Sequence, residues 1–422
     1  MTVHLALDLG TTTLAGRLVD KSGSILAEQS LANPQQSYGA DILTRLEQAR
    51  SGHSARLQRL QLDGIHALVE ELCTQAGVLP GRIYAAAAAG NPGITCLLRG
   101  LPVDSLLSPP YKPSDTQLVE LLPDHFDLGL KVPLQVFPLV SGFVGGDLVA
   151  VVLGVVAGWQ GDSPHGGTAP DLCNKTIMVV DIGTNGELAL WDGGRWWVTS
   201  VAAGPAFEGG NVGAGMMLAD GAVTDVELQG DRFRLKMHGR GPVRGLCGSG
   251  LAALIAAALE GGLIDQSGRI VEPHEVENNL ANAVIQRGEE RAICFYRDAA
   301  VELALTQSDL RNFQLAKGAL YAGAEVLLEK AGLSAGELGQ VLLTGALGTS
   351  LPGEVLKRVA LLSEPMLSKI SFLSNGVLQG VERYLRLADG AQGLLRLVEQ
   401  MQPFPLSGTP AFEKRFLRAL EF

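Results

Sequence analysis

The sequence predicts an α/β protein made of two duplicated units, and three observations support this. Two stretches share one pattern, and they begin at Asp8 (DLGTTTLAGRLVDKSGSILAEQ) and at Asp181 (DIGTNGELALWDGGRWWVTS). In each, an apolar run leads to the aspartate, and a Gly-Thr turn and two more apolar runs follow. Strand-like and helical patterns alternate after each stretch, as in α/β folds. A loop rich in Pro, Gly and polar residues, WQGDSPHGGTAPDLCNK at 159–175, separates the two patterns.

The elements of the first unit follow from periodicity and turn signals. The alanine-rich RIYAAAAAG is predicted as a buried strand because it is short and bounded by Gly-Asn-Pro. The apolar run at 148–159 is too short to span a membrane and is predicted as a buried helix. The other predicted strands are HLALD, TLAGRLVD, SILAEQSLA and VPLQVFPLV, and the other helices lie in ADILTRLEQAR, ARLQRLQLDGIHALVEELCTQAG and NPGITCLLRG.

The second unit repeats this order with additions. Predicted strands are TIMVVD, ELALW, RWWVTSVA and QVLLTGALG, with a further hairpin in ELQGDRFRLKMHG. Predicted helices are CGSGLAALIAAALEGG, DLRNFQLAKGALYAGAEVLLEKAG and RLADGAQGLLRLVEQM. We therefore place the units at 1–160 and 176–422, with a linker at 161–175, and leave open that the C-terminal helix packs on the first unit.

The composition of the chain limits the classes of protein to which it can belong. A chain of 422 residues with 46% hydrophobic and 18% charged residues predicts a compact protein of about two domains. A net charge of −11 argues against a nucleic-acid surface, although backbone N–H groups can still bind phosphate. No signal peptide or membrane span is recognisable, so we expect a cytoplasmic protein. The five cysteines form no CxxC pair, so we expect no zinc site and no iron–sulfur cluster.

The repeated turn carries the chemistry. Its glycines let a ligand approach the backbone, and its successive N–H groups and hydroxyls suit phosphate oxygens. Each aspartate ends an apolar strand, where a carboxylate needs a partner, and a hydrated magnesium ion is a natural one. An ordinary Asx-type turn would explain one such stretch, but two at equivalent places favour a phosphate clamp. The candidate residues are Asp8, Gly10, Thr11, Thr12 and Thr13 in the first turn, and Asp181, Gly183, Thr184, Asn185 and Gly186 in the second.

The paired turns resemble the phosphate-one and phosphate-two loops of the superfamily of acetate kinase, sugar kinases, heat-shock chaperones and actin. VLLTGALG resembles the adenosine loop of that superfamily, with Gly345 and Gly348. The resemblance implies two ribonuclease H-like lobes, each a mixed five-stranded sheet flanked by helices, around a nucleotide cleft. It also implies ATP and Mg²⁺ as ligands, with Asp8 and Asp181 holding the metal through water.

Longer blocks resemble the nucleotide-binding domain of the reductive activators of corrinoid proteins. The blocks are ANPQQSYGADILTR, GNPGIT, PPYKP, LVSGFVGGD, VDIGTNGEL, AAGPAFEGG, CGSGL, TQSDLRNFQLAKGA and TGALG. The resemblance covers nearly the whole chain and implies an ATPase whose cleft closure helps to return a cobalt(II) corrinoid protein to cobalt(I).

The sequence departs from the typical activator in two respects. Typical members begin with a ferredoxin-like iron–sulfur domain, a linker and a small middle domain, whereas this sequence is expected to begin at the ATPase. Electrons would then come from a separate ferredoxin-like reductase. The adenosine loop reads GALG instead of Gly-Gly-Phe-Gly, and a late turn appears as SNGVLQG.

Further residues have a functional and a structural interpretation. Asp147 begins a buried helix, where it is either a base that orients the attacking water or a carboxylate stabilised by the helix dipole. Glu187 either reaches the magnesium shell or the attacking water, or it sits on a solvated strand. Glu208 lies in a loop shaped by Gly204 and Pro205 that is expected near the nucleotide. Ser249 either contacts phosphate or caps a helix, Cys247 is expected to be a packed thiol, and Lys317 either approaches the nucleotide or forms a surface pair.

Two alternatives to the activator stay open at this point. One is a small-molecule kinase of the same superfamily, similar to pantothenate kinase, in which Asp147 deprotonates a substrate hydroxyl. The other is a non-enzymatic actin-like scaffold. A homodimer is expected only because symmetric dimers are common.

Overall fold

The structure is a computed structural model that describes residues 2–124, 126, 128–158, 175–347, 351–406 and 408–422. The chain divides into two compact units, each formed by three segments. The first unit comprises Met1–Lys175, Gly193–Thr199 and Asn375–Phe404, and the second comprises Thr176–Asp192, Ser200–Ser374 and Pro405–Phe422.

A six-stranded mixed sheet runs through the first unit. Its central strand, β1, is buried from Val3 to Leu7, because helices cover both faces of the sheet. The strands are β1 (Val3–Leu9), β2 (Thr13–Asp20), β3 (Ile25–Ala32), β4 (Ile83–Gly90), β5 (Val119–Leu121) and β6 (Leu134–Val136), in the order β3-β2-β1-β4-β6-β5. Strand β1 runs antiparallel to β2 and parallel to β4, so Asp8 lies between Ala15 and Ala89.

The helices of the first unit come from both ends of the chain. The segment Asn375–Phe404 belongs to the first unit, where α10 packs on α5. The helices are α1 (Ile42–Gln48), α2 (Ser54–Ala76), α3 (Pro92–Arg99), α4 (Asp104–Leu107), α5 (Gly146–Gly158), α10 (Gly376–Arg386) and α11 (Gly390–Glu399).

A second six-stranded mixed sheet begins at the second repeat. Its strands are β7 (Ile177–Ile182), β8 (Gly186–Trp191), β9 (Trp196–Val201), β16 (Gln340–Gly345), β17 (Ile370–Phe372) and β18 (Met401–Pro403), in the order β17-β16-β7-β8-β9-β18. Strand β7 runs antiparallel to β8 and parallel to β16.

The second unit also carries two small sheets and further helices. One sheet has the order β11-β10-β12 and the other β13-β14-β15. These strands are β10 (Ala222–Gln229), β11 (Arg232–Met237), β12 (Gly245–Leu246), β13 (Val284–Arg287), β14 (Glu290–Arg297) and β15 (Glu302–Thr306). The helices are α6 (Gly248–Glu260), α7 (Gln307–Ala331), α8 (Gly353–Arg358), α9 (Glu364–Leu367) and α12 (Pro410–Arg418).

The two large sheets confirm the predicted duplication. The order β3-β2-β1-β4-β6 in the first corresponds strand for strand to β9-β8-β7-β16-β17 in the second. Each sheet has one strand more than the five expected, because β5 and β18 add to its edges. Both extra strands have three residues, which is too few for a two-residue alternation to be recognised in a sequence.

Candidate nucleotide site

The first repeated turn is held by the segment that follows β3. The Gly10 N–H donates to the Thr13 carbonyl at 2.9 Å, closing the turn between β1 and β2. The Asn33 side-chain amide donates to the Gly10 carbonyl at 2.9 Å, and the Asn33 backbone N–H donates to the Thr12 carbonyl at 2.9 Å. The Gln36 amide also donates to Thr12, at 2.7 Å. The carbonyl groups of Gly10, Thr12 and Thr13 are therefore bound within the protein.

The end of β4 lies beside this turn. Asn91 follows β4 directly and begins α3, where its Oδ1 accepts the Ile94 N–H at 2.9 Å. Its Nδ2 donates to the Thr11 hydroxyl oxygen at 2.9 Å. Strands β1 and β4 are parallel, so their carboxyl ends meet at one edge of the sheet, which is where ligands bind in open α/β sheets.

Asp147 lies at the same end of β4. It stands in the first turn of α5, and its Oδ1 accepts the N–H of Leu148 at 2.8 Å. A Cβ at Gly145 would lie 2.6 Å from the Gly90 carbonyl oxygen and 2.8 Å from Asp147 Oδ1, so that carboxylate adjoins the strand end. Desolvation raises the pKa of Asp147 to about 6, against backbone hydrogen bonds that lower it.

The second turn has a different set of partners. The Gly183 N–H donates to the Asn185 carbonyl at 3.0 Å, and the Gly204 N–H donates to the Thr184 carbonyl at 2.8 Å. The Thr184 hydroxyl donates to the Glu208 carboxylate, which ends the 3₁₀ turn Pro205–Glu208. The structure thus brings the AAGPAFEGG loop onto the turn.

Two acidic residues face each other beyond this turn. Asp181 on β7 is directly opposite Glu187 on β8 in the antiparallel pair, and Gly186 is opposite Ile182. Directly opposed residues project from the same face of a sheet. Glu187 is 7% exposed, and its Oε1 accepts the Ser200 hydroxyl at 3.4 Å, so it is not on a solvated strand.

The late Gly-rich turn adjoins Asp181. Gly345 ends β16 opposite Ile182, and the Ala346 N–H donates to the Ile182 carbonyl at 2.6 Å. Gly345 has a φ of +89°, and a Cβ there would lie 2.6 Å from Asp181 Oδ1. Only glycine meets both conditions without strain. Gly348, the second glycine predicted for this loop, lies outside the described residues.

Helix α6 begins close to the same loops. A Cβ at Gly248 would overlap the Phe207 carbonyl oxygen and lie 3.3 Å from the Ala346 carbonyl oxygen. The Ser249 hydroxyl donates to the Thr224 carbonyl at 2.9 Å, and no side chain caps α6. The structural interpretation of Ser249 as the helix cap is therefore wrong. Cys247 is buried, as expected of a packed thiol.

Lys317 is placed against the last residues of the chain. Its ammonium donates to the Glu421 carbonyl and stands 4.8 Å from the centre of the Phe422 ring. Its side chain is fully buried, and desolvation lowers its pKa to about 8. The alternative of a surface pair is therefore wrong, and the contacts of this lysine are structural ones at the chain end.

The residues that sequence reasoning missed are the ones that hold the first turn: Asn33, Gln36 and Asn91. The sequence does contain a signal for the two asparagines, because each precedes a proline and Asn-Pro is typical of the start of a helix or turn. What the dipeptide could not indicate is the direction in which the side-chain amide nitrogen points.

The carboxylates of the second turn suit a hydrated magnesium ion. In the described part of the chain, no group of three His, Cys, Asp or Glu side chains is placed to hold a metal directly. Magnesium in nucleotide sites usually keeps several waters and uses one or two carboxylates together with phosphate oxygens. The opposed Asp181 and Glu187 fit that requirement.

The helices of the described residues include none that is long and apolar enough to cross a membrane.

Comparison with protein families gives two matches that together cover most of the chain. Residues 175–422 match the family model described as the C-terminal domain of RACo, the ASKHA domain, and residues 3–156 match the RACo middle region. The second match corrects the expectation that the middle domain is missing: the residues interpreted as the first ATPase lobe correspond to that region.

Individual proteins agree with these matches. The corrinoid activation enzyme RamQ of Eubacterium limosum is 27% identical over 392 residues, covering 90% of this chain and 64% of RamQ. The [Co(II) methylated amine-specific corrinoid protein] reductase of Methanosarcina barkeri is 28% identical over 204 residues, covering 43% of this chain and 34% of the reductase. The solved structure of a reductive activator for corrinoid, iron-sulfur protein superposes with a TM-score of 0.89 at 25% identity, covering all of this chain and 66% of that one.

This chain spans less than two thirds of the length of each of these three proteins. The family match and the superposition confirm the predicted α/β fold of the acetate kinase, sugar kinase, heat-shock chaperone and actin superfamily. The chain belongs to the RACo family, with the RACo middle region followed by the C-terminal ASKHA domain.

Proposed function

We propose that this chain binds and hydrolyses ATP and uses the cycle to promote the reduction of a corrinoid protein from cobalt(II) to cobalt(I). Three named homologues act in corrinoid activation or reduction. The electron would come from a separate iron–sulfur reductase, and the protein would act in the cytoplasm as a homodimer.

One observation carries the nucleotide part of this proposal. Within the second unit, the phosphate-type turn, the Glu208 loop and the Gly345 turn all meet at the end of β7, which bears Asp181. These are the elements that the superfamily resemblance assigns to phosphate and adenosine, and they lie far apart in the sequence.

The chain's own residues suggest a division of tasks in hydrolysis. Magnesium would supply charge stabilisation for the phosphates, held through water by Asp8 and Asp181 with help from Glu187. The first turn would donate hydrogen bonds to phosphate oxygens. Asp147 would accept a proton from the attacking water or orient it, so that ATP and water yield ADP and phosphate.

Asp147 gives this mechanism a pH signature. A carboxyl with a pKa of about 6 is protonated below that value and then cannot accept a proton from water. We expect kcat/KM for ATP to fall as the pH drops below about 6, and Asp147→Asn to lower kcat by about 100-fold or more and to remove this acidic limb. Steady-state phosphate release between pH 5 and pH 8, roughly the range in which such groups titrate, would measure both effects.

The same pKa also affects stability, which provides an independent check. Because the folded protein holds this proton more tightly than the unfolded chain, its contribution to stability is present at acidic pH. It is lost as the pH rises from about 4 through about 6. In Asp147→Asn, the free energy of unfolding measured by urea denaturation should not show that loss.

An unchanged pH profile of hydrolysis in Asp147→Asn would exclude this residue as the base.

The partner is tested by reconstitution. A cobalt(II) corrinoid protein from the same organism, with an artificial reductant, should form cobalt(I) faster with this protein and ATP than with the protein alone. It should also raise the rate of ATP turnover. The cobalt(I) absorption band and phosphate release measure the two effects. If neither changes, and no complex forms, the corrinoid assignment is wrong even if ATP is hydrolysed.

A small-molecule kinase remains the second candidate, and the environment of Asp147 is the observation that favours it. A carboxyl with a raised pKa at the end of β4 suits deprotonation of an alcohol as well as of water. A screen of hydroxylated metabolites that yields a phosphorylated product would favour the kinase over the activator.

A further inference from the structure

Two Asn-Pro dipeptides of the first unit have the same arrangement around the first turn. In each, the asparagine Oδ1 accepts a backbone N–H at the start of a helical segment, from Gln35 for Asn33 and from Ile94 for Asn91. The proline that follows occupies the first helical turn, where no N–H is required. Asn33 and Asn91 are only 1% and 6% exposed, so their amide groups are fixed inside the protein.

This capping determines where the amide nitrogens point. Since Oδ1 is occupied by the cap, Nδ2 is directed at the turn, to the Gly10 carbonyl from Asn33 and to the Thr11 hydroxyl from Asn91, both at 2.9 Å. An amide NH₂ can only donate. The Thr11 oxygen therefore accepts this bond, and its own proton is directed away from Asn91.

Thr11 is only 6% exposed, and the hydrogen bonds of its hydroxyl decide what it can offer to a ligand. Among the residues that the structure describes, the Thr11 hydroxyl makes no hydrogen bond other than the one from Asn91. A hydroxyl has one donor proton and two acceptor lone pairs, and Asn91 engages one of the lone pairs here and so turns the proton away from itself. It is therefore prepared to donate to an oxygen anion.

The threonine hydroxyl of the second turn has the opposite hydrogen-bonding role. There the Thr184 hydroxyl donates to the Glu208 carboxylate, whereas the Thr11 hydroxyl accepts from Asn91. Asp181 and Glu187 stand opposite each other nearby. The two repeats have similar sequences, yet the threonine hydroxyl accepts a side-chain hydrogen bond in the first and donates one in the second.

We propose that Asn91 is a positioning residue that fixes the Thr11 hydroxyl as a donor to a phosphate oxygen of a nucleoside triphosphate. Asn33 assists by binding the Gly10 carbonyl, which keeps that oxygen from facing the phosphate. This inference rests on the proposed function, since it names how the first turn distinguishes a phosphate from other ligands.

Asn91→Asp is the sharpest test, because the new side chain has the same shape and still caps α3. A carboxylate attracts the Thr11 proton, so a phosphate would meet an oxygen lone pair and an added negative charge. A hydrogen bond to a charged group contributes about 1.5–3 kcal/mol, so we expect ATP affinity to fall by about 10- to 100-fold. The affinity for adenosine, which lacks phosphate, should stay within about twofold of the unchanged protein, well below a 1.4 kcal/mol effect. Calorimetric titration of the full chain with each ligand measures both.

Two controls separate positioning from folding. Asn278→Asp makes the same change at another asparagine cap, one that is exposed and whose Oδ1 accepts the Leu280 N–H, and it should leave ATP affinity unchanged. Thr11→Val removes the hydroxyl without changing the side-chain shape, and Thr11→Ser retains it. We expect Thr11→Val to lose ATP affinity and Thr11→Ser to keep most of it, which tests the donor even if Asn91→Asp does not fold.

The outcomes are distinct. If Asn91→Asp binds ATP like the unchanged protein, or loses ATP and adenosine equally, Asn91 does not direct a phosphate donor and the inference fails. Equal ATP affinity in Thr11→Val and Thr11→Ser also overturns it. If the unchanged protein binds neither ATP nor any other nucleoside triphosphate, the proposed function itself fails and this inference fails with it.

Discussion

Asp181→Asn is expected to reduce magnesium-dependent ATP hydrolysis by about two orders of magnitude, the effect typical of losing one electrostatic stabiliser in an active site. The carboxylate is directly opposite Glu187 and its Oδ1 borders Gly345, so it lies where the phosphate-type and adenosine-type turns meet. Asparagine keeps the shape of the side chain and removes the charge that holds a hydrated cation. Phosphate release measured over a range of Mg²⁺ concentrations should show a lower maximum and a higher Mg²⁺ requirement.

A matched control comes from the strand next to β1. Asp20 also ends a strand, but it is in an exposed turn, where its Oδ1 accepts the N–H groups of Ser22 and Ser24. Asp20→Asn should leave hydrolysis unchanged, whereas Asp8→Asn should lower it as Asp181→Asn does. Wild-type hydrolysis and Mg²⁺ dependence in both Asp8→Asn and Asp181→Asn would show that the paired aspartates do not serve the nucleotide.

Gly380→Ala is expected to destabilise the first unit by about 1–3 kcal/mol, the range for overpacking a close contact. Gly380 is on α10, and a Cβ there would overlap the carbonyl oxygen of Ala150 on α5. Helix propensity alone predicts the opposite, a gain of about 1 kcal/mol for replacing glycine by alanine. The sign of the change in the free energy of unfolding, measured by urea denaturation, therefore shows which effect dominates.

Gly393→Ala is the control for this prediction. Gly393 lies on α11 of the same unit, and the nearest atom to a Cβ there would be Arg396 Nη2 at 3.9 Å. The same substitution should therefore stabilise the protein by up to about 1 kcal/mol. Because α5 also carries Asp147, Gly380→Ala should lower ATP hydrolysis as well. Equal stabilisation by both alanines would contradict the close approach of α10 and α5.

Much of the fold could be predicted because the repeated pattern is local. Asp8 and Asp181 each lie at the end of an apolar strand, before a Gly-Thr turn, and these patterns occupy a few adjacent residues. The short edge strands β5 and β18 could not be predicted, since three residues carry no periodicity. The correspondence of residues 3–156 to the RACo middle region was also missed, because the local strand and helix pattern of one sequence does not show how a family divides its chain into regions.

The sequence by itself determined the duplicated α/β architecture, the positions of three turns that resemble nucleotide-binding loops, and the resemblance to the corrinoid activators. The tertiary structure alone decided whether the threonine hydroxyl of each turn donates or accepts a side-chain hydrogen bond. The bond from Asn91 to Thr11 joins residues 80 positions apart, and the bond from Thr184 to Glu208 depends on how a separate loop packs. Similar turn sequences therefore contain a threonine hydroxyl that accepts a side-chain hydrogen bond in one unit and donates one in the other. The direction of a hydroxyl proton depends on its neighbours in space, and the sheet topology brings those neighbours together.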